Sequence, residues 1–210
     1  MAANPSGSGF KRALLVDFGG VLTTSIWVAF GEFCDSEGLE RETVRALFRD
    51  DPEALALLRG LETGELDEDA FEPRFATLLG LEDHDRLIQR LFAGLGPDEA
   101  MIGGVRAARS SGIATGLISN SWGLGIYDRA PADLFDATVI SGDVGIHKPQ
   151  PEIYRLACSR LGVEPSQAVF VDDLRENVAG AEAVGMAGLL HRDTAATLAE
   201  LERLLGIRLT

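Results

Sequence analysis

Five short apolar runs recur along the chain, each closing on a polar or acidic side chain: "ALLVDF" (13–18), "ATGLIS" (114–119), "ATVIS" (137–141), "AVFVDD" (168–173) and "AGLLH" (187–191). They are rich in Val, Ile and Leu and lack the strict alternation of a strand with one wet face, so they predict strands buried on both sides. Helical patterns lie between the later runs. Residues 151–161, "PEIYRLACSRL", open with a proline suited to a first helical turn and put Ile153, Leu156, Ala157 and Leu161 on one face. Residues 175–184 and 194–205 read the same way. Strand and helix in repetition predict an α/β fold, a doubly wound parallel sheet covered on both faces. In such sheets ligands bind beyond the carboxyl ends of the strands. Three of the predicted strands end there in Asp17, Ser119 and Asp172-Asp173.

Residues 25–95 interrupt the alternation with almost purely helical patterns, from "WVAFGEFCDSEG" to "HDRLIQRLFAGL". The expected organisation is a core domain from 10–24 and 96–210, an inserted all-helical cap from 25–95 seated over the strand ends, and a disordered leader at 1–9. A helical hairpin packed on one sheet face is the competing reading. The start "MAANPSGSGFKR" lacks the apolar stretch of a signal peptide, and no window nears the length of a membrane span. Cys34 and Cys158 fit no metal or redox spacing and read as reduced thiols of a cytoplasmic protein. The formal net charge of −14 argues against nucleic acid or an anionic membrane as the main partner. An anionic small molecule would need locally concentrated cations. Oligomeric state is unreadable.

Taken singly, the polar elements at the strand ends are weak signals. Asp17 can cap a turn, Ser119-Asn120-Ser121 can start a helix, Lys148-Pro149 can be a surface turn, and Asp172-Asp173 suits a helix start. Their order is far more specific: a strand-end Asp, a strand-end Ser-Asn, a Gly-x-x-Lys-Pro, and a strand-end Asp-Asp followed by "NVAGAEAVGM". On these four motifs the chain resembles the haloacid dehalogenase superfamily, whose core is Rossmann-like. The insertion between the first two motifs is similar to the helical-cap subfamily. "LISNSWG" and "VDD" resemble the phosphatase-like domains related to the N-terminal part of soluble epoxide hydrolase.

The resemblance implies a phosphatase acting on a small phosphorylated metabolite, with Asp17 as a nucleophile that forms an acyl-phosphate. It implies Mg²⁺ held by Asp17, Asp172, Asp173 and the backbone carbonyl of Gly19. Clustered carboxylates need such a cation on electrostatic grounds as well. Lys148 would add positive charge beside nucleophile and phosphate, and Ser119 with the amide of Asn120 would hold phosphate oxygens.

Gly19 departs from the pattern. Most phosphatases of the superfamily place a second aspartate there to protonate the leaving oxygen and later activate water. General acid–base help is commonly worth about a hundred- to ten-thousand-fold. Three readings follow: a phosphatase whose proton comes from water, substrate or a cap residue; a dehalogenase, whose leaving halide needs no proton; or a phosphate- or metabolite-binding regulator without turnover. Intact Lys148, Ser119, Asp172 and Asp173 favour the first. Trp27, Phe30 and Phe33 can line a ligand face or pack a core, and Trp122 can edge the pocket.

Overall fold

The computed structural model describes residues 9–123 and 133–209. The leader expected over 1–9 therefore lies, except for Gly9, outside the described residues. Five parallel strands form one sheet in the order β3-β2-β1-β4-β5. They are β1 (Ala13–Val16), β2 (Ala114–Ser119), β3 (Ala137–Ile140), β4 (Ala168–Asp172) and β5 (Ala187–Leu190). β1 is central and wholly buried, so it tolerates no polar position, which is why its sequence reads as an unbroken apolar run.

Successive side chains of β1 point to opposite faces, and each face builds its own core. Leu14 and Val16 pack with α6 (Glu99–Ser110) and α10 (Thr194–Leu205) through Val105 and Leu201. Ala13 and Leu15 pack with α8 (Pro151–Leu161) and α9 (Arg175–Ala183) through Tyr154 and Ala181. Helices thus cover both faces, as the alternating sequence requires. The chain winds outward from β1 to β2 and β3, then returns to β1's other side for β4 and β5. This reversal opens a crevice at the carboxyl ends of β1 and β4.

Between β1 and α6 lie α1 (Ile26–Glu37), α2 (Thr43–Asp50), α3 (Pro52–Thr63), α4 (Glu68–Leu79) and the short α5 (Leu87–Leu91). No strand of the sheet comes from this segment among the described residues. Its two ends are tied together: Thr24 N donates to Gly96 O at 2.8 Å, Asp98 N donates to Leu22 O at 2.8 Å, and Thr23 bridges Pro97 in antiparallel register. Local chemistry sets the α3 boundaries. Asp51 accepts from the amides of Glu53 and Ala54 at 2.8 and 2.9 Å, Pro52 occupies the first turn, and the left-handed Gly64 ends the helix. The apolar faces of the insertion pack through Phe30, Leu57 and Phe75 into the same core as the α6 side of the sheet.

Candidate active site

Strand register decides which side chains meet. Val16 pairs with Leu117 on one side and Val171 on the other, so the next residue, Asp17, leaves the sheet beside the end of β4. Its amide still donates to Val171 O at 2.9 Å, which pins the backbone as the chain turns. Asp172 closes β4 and Ser119 closes β2. Lys148 enters from the loop before α8, where its backbone N donates to Asn120 Oδ1 at 2.8 Å and its carbonyl accepts from Asn120 Nδ2 at 3.2 Å. Asn120 thereby locks the lysine-bearing loop onto the end of β2.

The Lys148 ammonium is 2.7 Å from Asp17 Oδ1 and 2.7 Å from Asp172 Oδ2, with its side chain only 1% exposed. Asp172 is otherwise saturated. It accepts from Leu174 N at 2.8 Å and from Asn177 Nδ2 at 3.1 Å to each oxygen. Four such bonds fill the lone pairs of a carboxylate, so Asp172 chiefly fixes Lys148 and the start of α9. Asp173, half-buried next to it, carries no such set of bonds. The turn after β1 depends on Gly20, whose φ is +74°; a Cβ there would lie 2.7 Å from Asp173 Oδ2.

The charges do not balance. Oxygens of Asp17, Asp172 and Asp173 lie within 4.8 Å of one another, and among the described residues the cation ion-paired with them is the Lys148 ammonium, with Arg192 acting on Asp173 from farther off. Burial, outweighing the attraction of Lys148, pushes the Asp17 carboxyl up to about 7, and Asp172 adds to the rise. Burial and then the Asp172 charge push Asp173 up to about 6. Burial alone would lower the Lys148 ammonium, but Asp17 and Asp172 hold it above the ordinary lysine range. An oxygen-rich, electron-rich cluster short of positive charge fits a hard divalent cation such as Mg²⁺.

Asp17, Lys148 and Asp173 of this cluster line a cavity of about 850 Å³. Asp17, Ser119, Lys148 and Asp173 line it from the sheet, and Ile26, Trp27, Leu55, Arg59 and Glu62 line it from the insertion. Of the aromatic candidates, Trp27 and Trp122 reach the cavity, whereas Phe30 and Phe33 are core residues. Trp122 also packs edge-on against Phe30, Phe48 and Phe92, so lining and packing coexist in one side chain.

With this geometry in view, residues 11–185 match the haloacid dehalogenase-like hydrolase family. The chain belongs to the haloacid dehalogenase-like hydrolases. It is similar to the sesquiterpene phosphatase astK of Aspergillus oryzae, with 29% identity over 69% of this chain and 77% of that protein. It also resembles bifunctional epoxide hydrolase 2 of Rattus norvegicus, at 32% identity over 50% of this chain. The match takes in only 21% of that longer protein. Among solved structures, a Bacteroides thetaiotaomicron enzyme of the family, crystallised with magnesium and inorganic phosphate, superposes with a TM-score of 0.68. That likeness covers 88% of this chain and 95% of the other at 20% identity, and it bears on the fold.

Two further residues shape the site although sequence patterns assigned neither a role, Asn177 entering only as the first residue of "NVAGAEAVGM". Asn177 is buried and clamps Asp172, while its carbonyl accepts from the Tyr154 hydroxyl at 2.8 Å. Its signal was an amide in the first turn of α9, facing back to the strand end. Glu62 is the second, a cavity-lining residue on α3 hydrogen-bonded to the Asn120 side chain. Nothing local marks it, because one acid on an amphipathic helix reads as a solvated face.

Proposed function

We propose that the protein is a Mg²⁺-dependent phosphatase of small phosphorylated metabolites that works through an aspartyl-phosphate on Asp17. The observation that carries the reading is the buried Lys148 ammonium held between Asp17 and Asp172 beside a cavity that Lys148 and Asp17 line. The phosphatase relatives and the phosphate-bound structural neighbour support it. In this reading Asp17, Asp173 and the Gly19 carbonyl hold the cation, with Asp172 completing the acidic cluster. Bound Mg²⁺ would neutralise phosphate charge that otherwise repels an attacking carboxylate. Lys148 favours the ionised form of Asp17 and orients it toward phosphorus, and Ser119 with the Asn120 amide binds phosphate oxygens. Residues 25–95 act as a cap that closes the cavity over a core of 10–24 and 96–210, which excludes water from the transferring group.

A second reading is favoured by Gly19: a phosphate- or metabolite-binding protein that kept the pocket and lost turnover. Phosphate release from a panel of sugar phosphates, acyl phosphates and 4-nitrophenyl phosphate, with and without Mg²⁺, separates the two. Turnover that needs Mg²⁺ and disappears in Asp17→Asn is expected. Phosphate binding without release from even the activated ester would establish the binding protein instead. Chloride release from chloroacetate is the signature of a dehalogenase.

A further inference from the structure

Glu62, on α3, and Gly19, after β1, line one cavity. At Gly19 there is no side chain to move a proton, and a Cβ there would lie 3.0 Å from Ile26 Cγ2, close enough that Ile26 would have to give by a few tenths of an ångström. In the same cavity, Glu62 has a carboxyl that makes no ion pair among the described residues. Its side-chain partner is the Asn120 amide, the group that also locks Lys148 to the end of β2. A chain of contacts therefore runs from Glu62 through Asn120 and Lys148 to Asp17.

The carboxyl is also held in place, although it sits on the insertion. Ser141 Oγ donates to Glu62 O, and Ser121 N donates to Ser141 Oγ at 2.8 Å. Two residues on, Gly64 packs so closely on the core that a Cβ there would meet Gly142 O at 2.5 Å. The end of α3 is thus moored to the short helix α7 (Ser141–Val144) of the core rather than carried on a free lid. Burial raises the Glu62 carboxyl above the ordinary glutamate range despite nearby His147, Lys148 and Arg59. Its place in the last turn of α3 favours the same neutral form.

On the phosphatase reading above, we infer that Glu62 is the proton-transfer residue of the reaction, doing from α3 what no side chain at Gly19 can do. As an Asp17 oxygen bonds to phosphorus, the ester P–O bond breaks and its electron pair goes to the leaving oxygen. That oxygen takes the Glu62 proton and departs as an alcohol, leaving an aspartyl-phosphate and a Glu62 carboxylate. Water then attacks phosphorus and gives a proton to Glu62. The bond from phosphorus to the Asp17 oxygen breaks, which regenerates both side chains and releases hydrogen phosphate.

The test compares parent, Glu62→Gln and Glu62→Asp on an alkyl phosphate and on 4-nitrophenyl phosphate, whose phenolate leaves without a proton. Glu62→Gln keeps the shape and the bond to Asn120. In a single turnover it should slow release of the alcohol from the alkyl ester by about a hundred- to ten-thousand-fold while the burst of nitrophenolate from the activated ester changes only several-fold, and it should slow the later hydrolysis of the aspartyl-phosphate alike for both. Glu62→Asp should recover part of the alkyl rate. Carboxyl infrared difference spectra of parent against Glu62→Gln should show a protonated C=O band that persists above the ordinary glutamate range. Equal losses in the first, leaving-group step on both esters would make Glu62 a binding or structural residue, and no loss in either step would remove it from the reaction; either result overturns the inference and leaves the phosphatase intact. Absence of Asp17-dependent release from any ester in the parent would instead sink the phosphatase reading, and the inference with it.

Discussion

The carboxyl edge of the sheet and the helical insertion line one cavity, yet they hold their ionisable groups in contrasting ways. At the edge, Asp17, Lys148 and Asp172 interlock at 2.7 Å, and Asn177 and the Leu174 amide fill what remains of Asp172. On the insertion, Glu62 has a neutral amide for a side-chain partner and Arg59 is solvent-exposed on the same helix. The edge is a closed electrostatic unit whose members need one another. The insertion offers separate groups that can change one at a time. Machinery common to a reaction class suits the first arrangement, and features that vary with substrate suit the second.

The sharpest way to test this contrast is to remove one charge from each side. Lys148→Met leaves buried carboxylates without their counter-ion and should cost about 3–5 kcal/mol of stability, reduced where Asp17 takes up a proton instead. Glu62→Gln preserves its hydrogen bond and should cost about 1 kcal/mol or less. Urea denaturation of the Mg²⁺-free proteins measures both. Comparable losses would mean that the insertion is as tightly coupled as the edge.

Within the edge itself, Asp173 and Asp172 should respond with opposite sign. Asp17 and Asp173 keep protons in the fold up to about 7 and about 6, whereas the unfolded chain releases them near 3.8. The folded state therefore binds more protons between those limits, and the Mg²⁺-free protein should lose stability as pH rises from about 4 to about 7. Asp173→Asn removes one titrating group and should flatten that slope and raise the melting temperature near neutrality. Asp172→Asn should lower it, because the Lys148 ammonium loses a charged partner and an acceptor at once, a cost of about 1–3 kcal/mol. Saturating Mg²⁺ should flatten the parent's slope in the same way that Asp173→Asn does. A melting temperature that climbs through this range without Mg²⁺ would contradict the account of the cluster.

The two regions also differed in how much of each could be read from sequence. Asp17, Ser119 and Asp172 lie at strand ends, where apolar runs stop and a buried parallel sheet has fixed geometry, so their convergence was legible before any coordinates. Lys148 was legible by its motif, though its loop is held by Asn120 through contacts 28 residues apart in sequence. Glu62 was not legible, since its position depends on where α3 docks. That docking rests on Ser141 and on the close approach of Gly64 to Gly142, contacts that no period or spacing records. For the same reason Phe30 and Trp27, three residues apart on α1, could not be told apart as core and cavity wall.

The smallest expected effect is the most discriminating between edge and insertion. Gly19→Asp would place a proton-transfer group back on the edge, beside the turn after β1. Its Cβ needs Ile26 Cγ2, 3.0 Å away, to yield by a few tenths of an ångström, which a side-chain shift at the start of α1 can supply. If Glu62 already delivers the proton, a second acid adds little, and turnover of an alkyl phosphate should change by less than about tenfold in the parent background. In a Glu62→Gln background the same substitution should substantially restore single-turnover release of the alcohol from an alkyl phosphate while leaving the burst of nitrophenolate nearly unaffected. The two positions would then be alternatives for one task, and their effects would be strongly non-additive, as expected of groups that act as a unit. A rise of a hundredfold or more in the parent would mean that the proton was missing all along. Glu62 would then be only a neighbour of Asn120, and the division of labour between edge and insertion would fall with it.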